Sequence, residues 1–321
     1  MSRRNPAPSG HPKPAHARGL RVRLLPMAAL SPAWNMAVDE AILREAGAGR
    51  SVPTLRFYRW DPPTLSLGRF QQAWGHVDLE ACRRRRIGLV RRPTGGRAVL
   101  HDHEVTYAVV LPEVVGLPAS VTEAYRLLSQ GLAEGLRILG VEPQFLRPLP
   151  RNAKAAAPVA GEQGAAAAGA EGRGAAQDLS ALCFEAPSWY ELAAEGKKLV
   201  GSAQLRRHGG VLQHGSLLLH LDRALAAELL GGGGRSEGVL QSAASLDEAL
   251  GRPVSFEEAA DALKQGFGRA LGWQVTPAAL TPREERLARW LAEHKYGSDG
   301  WNLDRVEPEE PPWFQEVGDH A

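Results

Sequence analysis

Two residues near the middle of the chain could together form an activated nucleophile, Cys183 and Lys198. A cysteine attacks as the thiolate, and an ammonium group placed beside it lowers the pKa of the thiol. Lysine is scarce here, occurring only at positions 13, 154, 197, 198, 264 and 295, and Lys197 and Lys198 lie in an apolar-flanked segment. The spacing leaves two hypotheses open, a reactive thiol or a buried or incidental cysteine, because a loop cysteine and a strand lysine need not meet.

A glycine turn provides a second candidate, the segment Arg91-Arg92-Pro93-Thr94-Gly95-Gly96. Paired glycines allow a ligand to approach the backbone amides closely, and the preceding arginines add fixed positive charge. An ordinary turn explains the same residues equally well.

Several other motifs have a simpler interpretation. His101-Asp102-His103 would place two imidazoles on one face of a strand, as in a pair of metal ligands, but no other His or Cys cluster has matching spacing. We therefore expect no metal site and assign His101 to orienting loop backbone or substrate. The four cations Arg83–Arg86 lack interleaved aromatic residues and are expected to form a solvated helix face. Cys82 lies on the same predicted helix and is expected to be a small buried apolar residue.

Composition excludes several classes of function. The chain has 321 residues, with 38 Lys+Arg against 36 Asp+Glu and a net charge of +2, so overall charge does not favour a nucleic-acid or anionic-membrane partner. No apolar run approaches the roughly 18 residues of a membrane span, and the Arg-rich start has no apolar signal-peptide segment. We expect a cytoplasmic protein with two free thiols, and a monomer by default.

Hydrophobic periodicity predicts an α+β fold, with strands grouped in antiparallel hairpins and helices before and after them. Helices are expected to begin at the capping signals Ser31-Pro32, Ser120, Ser255 and Thr281-Pro282. The strands are predicted at 20–24, 54–60, 64–68, 87–92, 98–100 and 105–111, followed by an antiparallel meander over 188–194, 198–206 and 211–221. These elements must position the candidate chemistry.

The predicted domain organisation is a single catalytic domain between two tails. Residues 1–19 contain no acidic residue and are expected to be a disordered tail. The domain covers 20–305, with a superfamily core at about 49–275 and an Ala/Gly-rich insertion loop at 150–178, and 306–321 form a C-terminal tail. Gly231–Gly234 lacks the residues of a phosphate loop and is expected to be a linker.

Seven segments in order make the chain resemble one family closely, the octanoyl transferases that load the H protein of the glycine cleavage system, within the biotin/lipoate protein ligase superfamily. The segments are 31–41 (SPAWNMAVDEA), 56–60 (RFYRW), 91–102 (RRPTGGRAVLHD), 183–191 (CFEAPSWYE), 196–204 (GKKLVGSAQ), 212–216 (LQHGS) and 295–302 (KYGSDGWN).

The resemblance implies a catalytic domain with a mostly antiparallel sheet and an apolar channel for an acyl chain beside the double-glycine loop. It places Cys183 at the acyl-thioester position and makes Lys198 the lysine that lowers the thiol pKa and orients the acyl carbonyl. The substrate-binding residues that it implies are Arg91, Arg92, Thr94, Gly95, Gly96, His101, Gly201, Ser202, Ala203, His214 and Gly215.

The implied reaction moves an octanoyl group from octanoyl-acyl carrier protein to Cys183, and then to a lysine of the H protein or another lipoyl domain. No cofactor is needed, because an amide is downhill from a thioester. We also expect the insertion before Cys183 to be a mobile loop that brings the thiol to the channel.

Three alternatives stay open at this point. An ATP-dependent lipoate–protein ligase would need no cysteine nucleophile, and 103–107 lack the Gly-Asn that such ligases carry. A non-catalytic acyl-binding protein of the same fold is disfavoured by the presence of both Cys183 and Lys198. A nucleic-acid-binding role for Arg83–Arg86 would require binding with a steep salt dependence.

Overall fold

The computed structural model describes residues 17–74, 77–146, 191–230 and 240–314. The predicted insertion at 150–178, the nucleophile candidate Cys183 and the glycine run Gly231–Gly234 lie outside the described residues. No helix in the described part is long and apolar enough to cross a membrane.

The helices and strands follow in chain order. The strands are β1 (Arg21–Leu24), β2 (Ala28–Leu30), β3 (Thr54–Trp60), β4 (Thr64–Leu67), β5 (Gly88–Arg91), β6 (Val99–His101), β7 (Glu104–Pro112), β8 (Gln144–Leu146), β9 (Glu191–Ala194), β10 (Lys197–Arg207), β11 (Gly210–Leu218) and β12 (Gln274–Pro277). The helices are α1 (Pro32–Gly47), α2 (Leu79–Arg84), α3 (Val121–Ile138), α4 (Arg223–Leu229), α5 (Leu246–Leu250), α6 (Phe256–Leu271), α7 (Pro282–Leu291) and α8 (Asp299–Asn302). Short helical turns cover Glu113–Val115, Ala292–Tyr296 and Pro312–Phe314.

The helices begin where the capping signals predict. The Ser31 hydroxyl accepts a hydrogen bond from the Trp34 backbone N–H at 3.3 Å. Thr281 and Glu284 form a reciprocal capping box at the start of α7. A cap depends on residues adjacent in sequence, so these helix starts can be predicted without the tertiary fold.

The main sheet has the strand order β12-β1-β3-β7-β11-β10-β9-β8, and β2 joins it by pairing with β3. From β3 to β8 every neighbouring pair is antiparallel, including the predicted meander of β9, β10 and β11. The pairs β1–β12, β1–β3 and β2–β3 are parallel. The predicted α+β class with a mostly antiparallel sheet is therefore confirmed.

A second, smaller sheet with the order β5-β4-β6 lies apart from the main sheet. Helices α3 and α6 cover one face of the main sheet and share a core cluster with β3 and β7, while α1 and α7 share a second cluster on the opposite face. A third cluster joins the small sheet to α2 and α4. Cys82 is buried in this third cluster, and burial raises the pKa of its thiol to about 11.

The packed body extends slightly beyond the domain boundaries predicted at 20 and 305. The carbonyl of the buried Ala17 accepts a hydrogen bond from Trp273 Nε1 at 2.9 Å. Trp313 and Phe314 pack against the cluster that contains α1. Both ends of the packed body therefore depend on contacts made by aromatic side chains with residues distant in sequence. Composition alone does not predict such contacts.

Candidate active site

A cavity lies between the main sheet and the small sheet, and it encloses about 390 Å³ including its open mouth. Helix α1 closes one side. The described residues that line it are Met36, Tyr58, Trp60, Ser66, Arg92, Val99, His101, Thr106, Gly201, Ser202, Ala203, His214, Gly215 and Ser216. Within the described part of the chain, no group of three or more His, Cys, Asp or Glu residues could hold a metal ion.

The floor of the cavity is one row of residues across four adjacent strands. Tyr58 on β3 pairs with Thr106 on β7, Thr106 pairs with Ser216 on β11, and Ser216 pairs with Gly201 on β10. Directly paired residues lie on the same face of a sheet. All four therefore contribute to a single surface under the small sheet.

The roof comes from the small sheet. Ser66 on β4 pairs with Val99 on β6, and His101 lies two residues further along β6, so the three share a face. Leu65 and Leu67 of β4 point to the other face and are fully buried in the core cluster with α2 and α4. That apolar packing fixes the small sheet against α2 and α4.

Two chains of hydrogen bonds, each running from a hydroxyl through an imidazole to a carboxylate, line the cavity. In the first, Ser66 Oγ lies 2.8 Å from His101 Nε2, and His101 Nδ1 lies 2.6 Å from Glu104 Oε1. The buried Glu104 also accepts hydrogen bonds from the hydroxyls of Thr106 and Ser216. Trp60 stacks on the His101 ring with centroids 4.4 Å apart.

In the second chain, Thr94 Oγ1 lies 2.7 Å from His214 Nε2, and His214 Nδ1 lies 3.1 Å from Asp39 Oδ2. Burial lowers the pKa of His214, although Asp39 opposes this shift, so the imidazole is neutral near pH 7. Burial by itself would raise the pKa of Asp39, but the Arg56 charge, His214 and the Tyr58 hydroxyl outweigh it and lower that pKa. Asp39, on the buried face of α1, therefore stays ionised.

These chains determine what the cavity can bind. The two imidazoles and the hydroxyls of Ser66, Thr106 and Ser216 on the wall already have protein partners. Aromatic, aliphatic and glycine surface completes the wall. Such a surface suits an alkyl chain, which gains from leaving water and needs no hydrogen bonds.

A β-bulge places Lys198 on the cavity side of the main sheet. The register shifts between Lys198 and Val200. In a regular strand Leu199 and Val200 would face opposite sides, but both are buried in the core cluster with α3 and α6. Lys198 therefore lies on the other face, which carries Gly201.

Lys198 is only 2% exposed, and its Nζ donates to Glu191 Oε1 at 2.6 Å. Leu192 pairs with Val200, and both belong to the core cluster with α3 and α6. Because neighbouring residues of a strand face opposite sides, Glu191 faces away from that cluster. Its carboxylate therefore lies on the same side of the sheet as the Lys198 ammonium. The Lys198 backbone is fixed as well, because its N–H donates to the Ser242 carbonyl and its own carbonyl accepts from Ala244. Lys197, by contrast, is exposed.

Seven of the predicted substrate-binding residues lie on the cavity wall, namely Arg92, His101, Gly201, Ser202, Ala203, His214 and Gly215. Gly215 is required by close packing, since a Cβ there would lie 2.2 Å from the Gly201 carbonyl oxygen. Arg92 donates to Ser66 Oγ at 3.1 Å and to the carbonyls of Gly95 and Arg97. It therefore joins the glycine turn to the roof.

The predicted residues Arg91, Thr94, Gly95 and Gly96 are not among the lining residues. Arg91 is fully buried and donates to the carbonyls of Gly68, Gln71, Trp301 and Asn302. Burial, together with the nearby arginine charges, lowers its pKa to about 10. Arg91 thus holds the C-terminal residues through the Trp301 and Asn302 carbonyls. Thr94 lies outside the cavity wall and contacts the lining residue His214.

Sequence reasoning did not assign site roles to Met36, Tyr58, Trp60, Ser66 and Glu104. For Tyr58 and Trp60 a signal existed, because they alternate with exposed Arg59 on a predicted strand and so share one face. Ser66 and Glu104 carried no such signal. Their roles depend on which strands pair with which, and local pattern does not determine that.

Comparison with known proteins places the chain in a family. The model of the lipoyl protein ligase A/B catalytic domain matches residues 31–268. An octanoyltransferase LipM from Kyrpidia tusciae is 49% identical over 288 residues, covering 87% of this chain and 97% of that protein. The octanoyltransferase LipM of Bacillus subtilis is 41% identical over 282 residues, covering 86% and 95%.

A solved structure supports the fold independently. The bipartite lipoate protein ligase from Thermoplasma acidophilum, described with its E2 lipoyl domain, has a TM-score of 0.70 and 26% identity, covering 90% of this chain and 99% of that one. The chain therefore belongs to the LipM octanoyltransferase family, and it is an acyltransferase enzyme built on the lipoyl protein ligase A/B catalytic domain.

Proposed function

We propose that this octanoyltransferase, acting in lipoate biosynthesis in the cytoplasm, takes its acyl group from octanoyl-acyl carrier protein. It holds the group as a thioester on Cys183 and passes it to a lysine of the glycine cleavage system H protein or another lipoyl domain. The names of the relatives support octanoyl transfer. The observation that carries the proposal is that Lys198 is buried on the face of the main sheet that bears the alkyl-compatible cavity, although Lys198 is not itself among the lining residues.

Chain length permits Cys183 to reach Lys198. Cys183 precedes Glu191 by eight residues, and eight extended residues span at most about 28 Å. Glu191 is itself bonded to the Lys198 ammonium. A thiol brought beside that cation has a lowered pKa and a larger thiolate fraction at neutral pH.

In the first step the Cys183 thiolate attacks the carbonyl carbon of the donor thioester. A new carbon–sulfur bond forms to Cys183 while the bond to the donor sulfur breaks. The donor thiolate leaves and takes up a proton. The Lys198 ammonium orients the acyl carbonyl and the octanoyl chain occupies the cavity, with the lining residues described above as the binding wall.

In the second step the neutral amine of the acceptor lysine attacks the Cys183 thioester. A carbon–nitrogen bond forms, the Cys183 thiolate leaves, and the nitrogen loses a proton. The product is an amide, which is more stable than the thioester. The reaction therefore needs neither ATP nor a cofactor.

The test is intact-mass measurement after incubation with octanoyl-acyl carrier protein, in the absence of ATP. We expect the wild type to gain the mass of one octanoyl group and to lose it on hydroxylamine treatment, whereas Cys183→Ser gains no hydroxylamine-labile group. Cys82→Ala is the matched control and should acylate like the wild type.

Two further results would decide between this mechanism and the ligase alternative. Lys198→Met should slow acylation by a factor of about 10² or more, the usual effect of losing a group that acts in the transition state, whereas Lys197→Met should not. Transfer to the H protein that required ATP and survived Cys183→Ser would overturn the proposal and indicate a lipoate–protein ligase.

A further inference from the structure

We propose that Tyr58 is the end wall of the acyl cavity and sets the length of the acyl chain that the enzyme accepts. This inference rests on the proposed function, in which the alkyl chain lies in the cavity and enters it over Gly201, on the strand that also carries Lys198. It assigns a specificity-determining role to a residue on β3, three strands away from the strand that carries Lys198.

Side-chain size increases steadily along the floor of the cavity. Starting from β10, the row runs from Gly201 with no side chain, through Ser216 and Thr106, to the aromatic ring of Tyr58. The floor is therefore lowest beside the strand of Lys198 and is blocked at β3. An alkyl chain that enters at Gly201 finds space over the first three positions and a ring at the fourth.

The length of this row suits an octanoyl chain. Neighbouring strands lie about 4.8 Å apart, so three steps from β10 to β3 cover about 14 Å. The seven carbon–carbon bonds of an octanoyl group, each about 1.5 Å long in a zigzag, project to about 9 Å. A chain that begins over Gly201 thus ends near Thr106, and the thickness of the Tyr58 ring takes up most of the remaining distance.

The Tyr58 ring is held so that it cannot swing aside. Its hydroxyl donates to Asp39 Oδ2 at 2.9 Å, and the Arg56 guanidinium lies 4.3 Å from the ring centroid. Asp39 is itself ion-paired with Arg56 and bonded to His214. Trp60 lies 5.8 Å from the Tyr58 ring, and Tyr58 is only 1% exposed.

A residue that limits chain length and a residue that merely fills the core differ in how their substitution changes the acylation rates. A core residue affects stability and the rates with all acyl chains alike. An end wall affects the relative rates with short and long chains, because only the longer chain meets it. The ratio of the two rates is therefore the informative measurement.

The experiment compares octanoyl-, decanoyl- and dodecanoyl-acyl carrier protein as donors, with acylation followed by intact mass. We expect Tyr58→Ala to raise the rate with decanoyl relative to octanoyl by about tenfold, the factor that burying two further methylene groups is worth. Tyr58→Phe is the matched control and should keep the wild-type ratio, because it retains the ring. Tyr58→Leu provides a second shortened but apolar side chain if the alanine variant does not fold.

A second readout keeps the length limit testable apart from catalysis. The rise in melting temperature caused by octanoate, decanoate and dodecanoate is measured on the same proteins. In Tyr58→Ala and Tyr58→Leu, the two longer acids should raise the melting temperature more than they do in the wild type. Folded Tyr58→Ala or Tyr58→Leu protein that keeps the wild-type order of chain lengths in both assays would overturn the inference. Failure of the proposed function would instead appear in the wild type, as no acylation of Cys183 by the octanoyl donor.

Discussion

Replacing Glu40 by glutamine removes a carboxylate from a buried ionic cluster that joins α1 to the C-terminal residues. Glu40 Oε2 lies 3.0 Å from Lys295 Nζ, and Glu40 Oε1 lies 2.6 Å from Arg44 Nη2. The Tyr296 hydroxyl also donates to Glu40. Glu40 and Lys295 are 2% and 1% exposed, so water screens this cluster poorly.

The cost of the substitution follows from the pKa of Glu40. Burial alone would raise that pKa, but attraction to Lys295 and Arg44 and the Tyr296 hydrogen bond lower it from 4.5 to about 2. Each pKa unit corresponds to about 1.4 kcal/mol, so the ionised carboxylate contributes about 3 kcal/mol to the free energy of unfolding near neutral pH. Breaking a buried ion pair typically costs about 3–5 kcal/mol. We expect the lower end, because Lys295 keeps Glu307 Oε2 at 2.7 Å.

The sign of the pH dependence follows from the same shift. A carboxyl whose pKa is depressed on folding stabilises the protein above its unfolded pKa, and this contribution is lost as the pH falls through the folded pKa. The difference in the free energy of unfolding between the wild type and Glu40→Gln should therefore be largest near pH 7 and should shrink as the pH falls from 4.5 to about 2.

The assay is denaturant-induced unfolding of both proteins near neutral pH and at several acidic pH values. Glu310→Gln is the matched control, because Glu310 also binds Arg44, at 2.6 Å, but its side chain is 42% exposed. That variant should lose less than about 1 kcal/mol. A Glu40→Gln variant no less stable than the control, or a difference unchanged on acidification, would refute the reasoning.

Three further predictions concern the cavity and the thiols. Gly215→Ala should lower the free energy of unfolding by about 1–3 kcal/mol in denaturant, because the added Cβ would lie 2.2 Å from the Gly201 oxygen. The control Gly95→Ala should change it by less than about 0.5 kcal/mol, because no atom lies within 4 Å of the added Cβ. Equal losses in the two variants would contradict this prediction. Glu104→Gln leaves a single oxygen to accept the hydrogen bonds from His101, Thr106 and Ser216. Its free energy of unfolding, measured by heat or denaturant, should fall by about 1–3 kcal/mol. The control Glu123→Gln, at an exposed position, should change it little. In Cys183→Ser protein, iodoacetamide should modify Cys82 only slowly near neutral pH and faster as the pH approaches about 11; rapid modification at pH 7 would show that Cys82 is accessible.

Local patterns were sufficient to predict most elements of this fold. The β-rich segment Thr54–Trp60, ended by the turn signal Asp61-Pro62-Pro63, predicts β3 with its observed bounds. The helix starts at Ser31 and Thr281 follow from hydrogen bonds between residues three apart. The resemblance carried by the ordered motifs identified the family, which the comparisons confirm.

Several features of the site could not be predicted from local patterns. The separate sheet of β4, β5 and β6 forms the roof, although its strands were predicted only as individual elements. Arg91 and Arg92 are adjacent in a motif that reads as a single ligand-binding turn, yet one holds the C-terminal residues and the other lies on the cavity wall. Neighbouring residues on a strand face opposite sides, and what covers each side depends on the tertiary packing.

The sequence by itself determined the candidate lysine, the helix caps, most of the strands and the family, because periodicity, capping and motif order depend on residues close together along the chain. The short strands β2, β8 and β12 were not predicted. Only the tertiary structure decided that Tyr58, Thr106, Ser216 and Gly201 form one row, and that a bulge places Lys198 on the same side as that row. Strand register across four strands arises from the simultaneous burial of both sheet faces against different helices. The physical reason is that a one-residue slip in any of these strands would exchange core and cavity residues, and no local segment carries that constraint.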